Sequence, residues 1–384
     1  MKILHVMLSA FYIDNYSYQE NLLPKYHKSA GHEVEIVASL FTFDENGKGM
    51  WLPQAKKYIN ENDIPVTRLD FKSSPFSKRL RIYRGFYDEL ERFAPDIIFL
   101  HGVSFCDVAQ VAKYAKRHPH VRVFADNHTD FINSGRNWVS KHIQHGILWR
   151  SCAKKILPYT EKFYGVLPAR VDFLIDVYKV PKDKVELLVM GADDDSADAV
   201  TESDIVSFRK EYGIANSDIL ITTAGKIDNN KKEILLLMKA VRELNKENVK
   251  LLVFGSVVPE FKDDFDRLVD GKQVIYGGWL KTEDTYKCFR STDLMAFPGL
   301  HSVYWEQAVG CGCACIFRKI DGFTHIDMNG NCKFFKDITL DGIKNTVNDI
   351  VNDPHIISDM KSVAEENQYK FRYSHIAQIS IEDK

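Results

Sequence analysis

The sequence lacks a strong charge bias. Its 51 lysines and arginines meet 53 aspartates and glutamates, for a net charge of −2, so nothing global pulls it toward nucleic acid. It lacks any run of about 18 apolar residues, so no segment is long enough to span a membrane. The opening MKILHVMLSAF has an apolar core shorter than an export signal needs, and Asp14 follows soon, so a cytoplasmic chain is expected. Repeats and low-complexity tracts are missing. The seven cysteines are an odd count, and Cys311, Cys313 and Cys315 alternate on a glycine-broken run rather than at the spacing of a zinc site. They are expected to be reduced and mostly buried. Neither G-x-G-x-x-G nor G-x-x-x-x-G-K-[ST] occurs, which removes motif support for NAD enzymes and P-loop NTPases. No serine or cysteine sits in a nucleophile elbow, so acyl transfer has no support.

What is present is the composition of a soluble globular protein, 45% hydrophobic and 27% charged, in 384 residues, which suits two domains. MKILHVML reads as a buried first strand, followed by the polar, aromatic loop SAFYIDNYSYQ, a helical stretch with Pro24 at its first turn or a kink, and the strand HEVEIVAS. SKRLRIYRGFYDELERF places Tyr83, Phe86, Tyr87, Leu90 and Phe93 at helical spacing. The strands IIFLHG and VRVFAD follow. Ala192 to Asp204 is acidic and poor in apolar residues, the composition of a linker or long loop. A second series follows: strand DILITTAGK, helix KKEILLLMKAVREL, strands VKLLVFGS and QVIYGGW, a short helix at TYKCFRS, strand DLMAFPG, a helix around Glu306, and CACIF. Helical stretches close the chain from about residue 340. Strands alternating with helices predict parallel sheets covered on both faces, in two α/β domains joined near residue 195.

Ligands of open parallel sheets bind outside the carboxyl ends of the strands. Ser9 and the aromatic loop through Tyr18 follow the first strand. His101 follows IIFL, and His128 with Asp130 nearby follows VRVFAD. A histidine at such an end can exchange a proton near neutral pH, and His128 is favoured over His101. Gly225 and Lys226 end DILITTA, and Lys231 and Lys232 precede the next helix, together an anion site for Lys226 and one of the pair. Gly255, Gly277 and Gly278 end two further strands, where glycine lets a backbone come close to a ligand. A basic stretch of Lys72, Lys78, Arg79, Arg81 and Arg84 carries Phe71, Phe76 and Tyr83. It reads either as a solvated helix face or as a contact with an anionic membrane.

The order SAGHEVEIV, PDIIFLHG, ADNHTD, MGAD, AGKIDNNKKEILLLMKAV, LLVFGS, VIYGGWL and TDLMAFPG leading to EQAVGCGCACI resembles the glycosyltransferases of the GT-B fold, most of all the retaining family 4 enzymes. The resemblance covers nearly the whole length. It implies an α/β, GT-B architecture: two Rossmann-like α/β/α domains with parallel sheets facing across a cleft. Residues 1–195 would form the acceptor side, 196–365 the nucleotide-sugar side, and 366–384 a helix crossing back to the first domain. It also implies that Glu306 holds the ribose hydroxyls of a nucleotide-sugar, which a carboxylate can do in bidentate fashion. Ser302 and Val303 would offer N–H groups to the diphosphate. The family's basic pair falls on Lys226 and on Lys231 or Lys232, with Lys232 favoured by counting back from Ala240; Glu233 stands where the family has glycine. His128 matches the family histidine near the reaction centre.

Two departures stand out. The family's first glutamate is replaced by Pro298, and its flexible glycine by His301 or Ser302, which leaves His301 as a sugar or phosphate contact. The glycine-rich loop after the first strand is also missing. Tyr12, Asn15, Tyr18 and Gln19 are available there as a wall for sugar or acceptor.

The implied activity is metal-independent transfer, with retention, of a hexose or N-acetylhexosamine from a nucleotide-diphosphate sugar, UDP-sugars favoured. The acceptor would be a glycan or lipid-linked molecule of bacterial surface polysaccharide synthesis. Lys226, Lys232 and a helix N-terminus would stabilise the leaving diphosphate. Two other readings share the fold: a nucleotide-sugar epimerase, and a degenerate, non-catalytic nucleotide-sugar-binding protein.

Overall fold

The computed structural model describes residues 1–44, 48–132, 134–135 and 137–382. These form two compact units, Met1–Val189 with Ile376–Lys384, and Met190–His375. The boundary falls at Val189/Met190 rather than at 195, and the returning segment begins at Ile376 rather than at 366. Its residues 383 and 384 lie outside the described residues.

The strands of the first unit are β1 (Lys2–Met7), β2 (Glu33–Ser39), β3 (Phe41–Phe43), β4 (Gly49–Trp51), β5 (Lys56–Ile59), β6 (Pro65–Leu69), β7 (Ile97–His101), β8 (Arg122–Asn127), β9 (Thr160–Gly165) and β10 (Val185–Leu187). Eight make one sheet, ordered β10-β9-β8-β7-β1-β2-β6-β5; β5 runs antiparallel to β6, while β3 and β4 form a separate antiparallel pair. The central strands are mostly apolar, as strands covered on both faces are, with His5, His101 and Asp126 as buried exceptions. Ile3, Leu4 and Val6 of β1 and Ile97 to Leu100 of β7 are wholly buried.

The second unit has β11 (Ile219–Ala224), β12 (Val249–Phe254), β13 (Val274–Gly278), β14 (Leu294–Phe297), β15 (Cys315–Phe317) and β16 (Cys332–Phe334), all parallel, in the order β13-β12-β11-β14-β15-β16. Its core packs Ile221, Leu251 and Leu294 of the sheet with Leu237 and Val241 of the helix Ile234–Leu244 and Ile343 and Val347 of the helix Leu340–Val351.

The strand order changes sides of the sheet between β1 and β7 in the first unit and between β11 and β14 in the second, the strands themselves staying parallel. Such switch points leave a crevice beyond the carboxyl ends of the two strands.

The structure corrects two sequence expectations and decides between the alternatives of a third. The single helix expected over residues 77–93 is two short ones, Ser77–Leu80 and Phe86–Phe93. They are separated by left-handed backbone at Arg81 (φ 54°) and Gly85 (φ 73°). The acidic stretch after Ala192 is not a linker but carries the helices Asp194–Asp198 and Glu202–Glu211. The second is opened by a reciprocal cap between Thr201 and Asp204. Pro24 lies inside the helix Gln19–Ser29 rather than in its first turn. All seven cysteines are free thiols. Among the described residues no helix is long and apolar enough to cross a membrane.

Candidate active site

In the second unit the glycines at the strand ends form a tight shelf. Gly225 donates its N–H to the Phe254 carbonyl and Gly255 donates to the Gly278 carbonyl, so the ends of β11, β12 and β13 lie side by side. Gly225 (φ +143°) and Gly255 (φ +133°) adopt backbone that only glycine visits freely. A Cβ on Gly255 would come within 2.0 Å of the Gly225 carbonyl oxygen, and one on Gly225 within 2.7 Å of Lys231 Nζ.

Lys231 therefore lies on this shelf. On its other side its stem packs against Gly299 at the end of β14, where a Cβ would meet Lys231 Cα at 3.0 Å. Lys231, Thr223, Phe297, Pro298, Gly299 and Ser302 line one small pocket at the β11/β14 switch point. No carboxylate lies within ion-pair distance of Lys231 among the described residues. Burial lowers its pKa, opposed in part by Asp228. Lys226 is exposed at the end of β11.

Lys232, the lysine favoured by counting back from Ala240, goes elsewhere. It is exposed and lines a different groove with Leu236, Lys239 and Phe261. The helix begins only at Ile234, and Asp228 to Glu233 form turns before it, so neighbouring lysines face different sides.

Glu306 is wholly buried on the short helix Tyr304–Gly310. Its Oε1 accepts hydrogen bonds from His301 Nε2 at 2.7 Å and from His325 Nε2 at 2.8 Å. Burial alone would raise its pKa, but the two histidines outweigh that and hold it at about 2. The bidentate grip on two hydroxyls expected of Glu306 thus meets one oxygen already engaged. Oε2 remains. It is buried without a partner among the described residues, as are Ser302 Oγ and His325 Nδ1. Each such orphan costs about 1–3 kcal/mol, and ligand hydroxyls would satisfy them. Trp305 and Phe323 wall in the His301 ring at centroid distances of 5.2 and 5.1 Å. Val303, just ahead of this helix, accepts from Gln307 N–H and is partly exposed. His325 was not singled out from the sequence; a histidine on an irregular loop 19 residues beyond Glu306 gives no local signal.

In the first unit the β1/β7 switch point opens into a cavity of about 740 Å³. Ser9, Tyr18, Glu20, Arg81, His128 and Arg170 contribute to its lining, as does the π-helical stretch Ser140–Trp149 through Gln144, His145 and Trp149. His128 Nε2 lies 3.6 Å from Asp126 Oδ2 and 4.0 Å from Glu20 Oε1. Burial opposes its protonation, yet the two carboxylates outweigh it and raise its pKa. Asp130 is not in the lining; it is buried and pairs with Arg170 at 3.2 Å. Asn15 is exposed, its N–H bonded to Glu61, and also lies outside the cavity. Tyr12 is core, and Gln19 donates to Asp126 rather than facing a ligand. Arg81, expected on a basic surface stretch, is turned into the cavity wall.

Behind the wall runs a buried line of histidines. Ser380 Oγ donates to the Ala377 carbonyl, and His27 Nε2 contacts both, so that nitrogen carries a proton. His27 Nδ1 meets His5 Nε2 at 3.0 Å, and His5 Nδ1 meets His101 Nε2 at 3.0 Å. His101 Nδ1 lies 2.9 Å from Asp126 Oδ2. Burial keeps His27 neutral, with a pKa of about 3, and pushes His5 well below the ordinary histidine value. Each neutral ring donates from one nitrogen and accepts at the other, so His5 must donate to His27, and His101 to His5. Burial disfavours the Asp126 carboxylate, but His101 and His128 outweigh it and hold its pKa low.

Comparison with known proteins adds the following. Residues 218–353 match the family described as Glycosyl transferases group 1. The chain is 20% identical over 163 residues to the uncharacterized glycosyltransferase MJ1607 of Methanocaldococcus jannaschii. That match takes in 40% of this chain and spans only 42% of the length of the relative. HepE of Anabaena, solved in complex with UDP, superposes with a TM-score of 0.66 at 14% identity, covering 99% of this chain and 98% of HepE. The UDP-GlcNAc 2-epimerase of Neisseria meningitidis, solved with UDP-GlcNAc, gives 0.62 at 13% identity, covering 99% and 98%. At such identities the likeness shows the fold, and the fold is GT-B. The match to the glycosyl transferases group 1 family falls on residues 218–353, within the second unit.

Proposed function

We propose that the chain is a retaining glycosyltransferase acting in the cytoplasm. Its second unit would hold a nucleotide-diphosphate sugar, UDP-sugars favoured, and the hexose or N-acetylhexosamine would pass to a glycan or lipid-linked acceptor of bacterial surface polysaccharide. One observation carries this reading. At the β11/β14 switch point a lysine with no carboxylate partner among the described residues is clamped between two glycines, and Ser302 leads from its pocket to the buried Glu306. A diphosphate seated on the shelf meets Lys231 and the exposed Lys226. As the bond from the anomeric carbon to the diphosphate oxygen breaks, negative charge grows on that oxygen, and fixed ammonium groups stabilise it without reorganisation. The lysines supply the counter-charge that a metal ion provides elsewhere. Glu306 Oε2 accepts from a ribose hydroxyl, while His301 and His325 keep the carboxylate ionised and fixed. The first-unit cavity around Ser9, Tyr18 and His128 receives the acceptor.

A second reading, nucleotide-sugar epimerase, draws on the gathering of Glu20, Asp126 and His128 at one cavity wall, since epimerisation needs acids and bases converging on a sugar ring. Product analysis separates the two. Purified protein is incubated with UDP- and GDP-sugars, with and without an acceptor panel, and products are identified by mass spectrometry and NMR. A glycoside of retained anomeric configuration, formed without added metal, is the expected result. An isomerised nucleotide-sugar in the absence of acceptor would establish the epimerase. Donor binding without any turnover would leave a binding protein, and strict dependence on Mg²⁺ or Mn²⁺ would contradict the role given to the lysines.

A further inference from the structure

The charges around the first-unit cavity are nearly all matched. Arg170 is paired with Asp130 at 3.2 Å, and His128 faces Asp126 and Glu20. His145, also in the wall, is kept neutral by burial and by the neighbouring Arg81, with a pKa of about 4.

Arg81 is the exception. No carboxylate lies within ion-pair distance of its guanidinium among the described residues. Its hydrogen bonds are all made by Nη1, to Ser9 O at 2.7 Å, Ser104 O at 2.9 Å and, more weakly, Ser9 Oγ at 3.4 Å. The group stands over the Trp149 ring at 5.5 Å. Three anchors and an aromatic platform fix its orientation, while its Nε and Nη2 hydrogens carry no bond among the described residues. That edge is one of the two forks with which a guanidinium grips a carboxylate or phosphate through parallel hydrogen bonds. A left-handed backbone at Arg81 is what turns the side chain inward, between two helices that would otherwise run as one. A half-buried, fixed guanidinium with no counter-charge within reach is a ready partner for an anion.

We infer that Arg81 is the oxyanion subsite of the first-unit cavity, and that the molecule received there carries a phosphate or carboxylate group. This rests on the reading of that cavity as the acceptor site and narrows the acceptor to an anionic one: a phosphorylated sugar, a uronic acid, or a phosphate-bearing lipid-linked glycan. Glu20 sets the polarity of the site, since its carboxylate stands beside His128 and away from any ion-pair contact with Arg81.

Two arms test this. In the first, inorganic phosphate is titrated at constant ionic strength while the guanidinium resonances of Arg81, assigned with Arg81→Lys, are followed by NMR. A saturable shift at Arg81, unchanged in Lys231→Met, is expected; a linear drift or no shift overturns the subsite. This arm does not depend on transferase activity. In the second, a sugar phosphate, a uronic acid and the matching neutral sugar are compared as acceptors. The anionic forms are expected to have a KM lower by at least about tenfold. Arg81→Gln should abolish that preference and Arg81→Lys should retain part of it, at unchanged donor affinity. Whichever anion is favoured identifies the source. Equal KM values for anionic and neutral acceptors overturn the inference. A saturable shift with no transfer to any acceptor would instead refute the proposed transferase and leave the anion site standing.

Discussion

Lowering the pH from 8 to 5 should remove about 2 kcal/mol of stability through His27 alone, with His5 working in the same direction. Both are wholly buried and neutral, with pKa values depressed first of all by burial. In the unfolded chain they bind protons near pH 6.5, so below that pH the unfolded state holds more protons than the folded one, and acid drives unfolding. Their stabilisation is complete above the unfolded-state value and is lost as the pH falls toward about 3 for His27. By pH 5 the loss through His27 is about 2 kcal/mol. His145, with its pKa of about 4, works in the same direction. His128 works in the other: its raised pKa gives stability that is present in acid and lost as the pH rises, so it offsets part of the fall. Glu306, held at about 2, gives up its contribution only below about pH 4.5, outside this window. The check is chemical denaturation followed by circular dichroism at pH 8, 6 and 5. An unfolding free energy that stays flat across that range would mean that the histidine line does not hold the protons assigned to it.

The second large effect is on turnover. Lys231→Met should lower kcat by about 10²- to 10³-fold, the usual loss when one fixed donor to a developing negative charge is removed. Methionine keeps the apolar stem between Gly225 and Gly299, so the fold should survive while the charge is lost. Lys232→Met is the matched comparison, since that side chain is exposed in a separate groove and should change kcat by less than about twofold. The sequence pattern favours the opposite assignment. A large loss in Lys232→Met with a near-normal Lys231→Met would restore Lys232 and refute the site described here.

That reversal shows where sequence stopped being legible. The strands could be read because each is a short apolar run buried on both faces, and their carboxyl ends gave Gly225, Gly255, Ser9 and His128 their places. The lysine pair could not be resolved by counting along a helix, because residues 228–233 form turns in which adjacent side chains diverge. The acidic stretch read as a linker or long loop because of its composition, which hid the reciprocal cap at Thr201 and Asp204. The histidine line was out of reach in a different way. His5, His27, His101, Asp126 and Ala377 are brought together only by the sheet order and by the return of the C-terminal segment to the first unit. Its local traces were His5 in the apolar strand MKILHVML and His101 at the end of IIFL, and no sequence spacing joins them. Arg81 looked like part of a basic surface because its inward turn depends on left-handed backbone that no residue in SKRLRIYRG announces.

The most direct test of the central claim, that the second unit is a nucleotide-sugar site, is calorimetric titration of UDP and of GDP into the purified protein and into Glu306→Gln. Saturable binding of one nucleotide, UDP expected, that weakens by at least about tenfold in the variant would fit a ribose hydroxyl donating to Glu306 Oε2. No binding of either nucleotide to the folded protein, or equal binding to both proteins, would contradict the site.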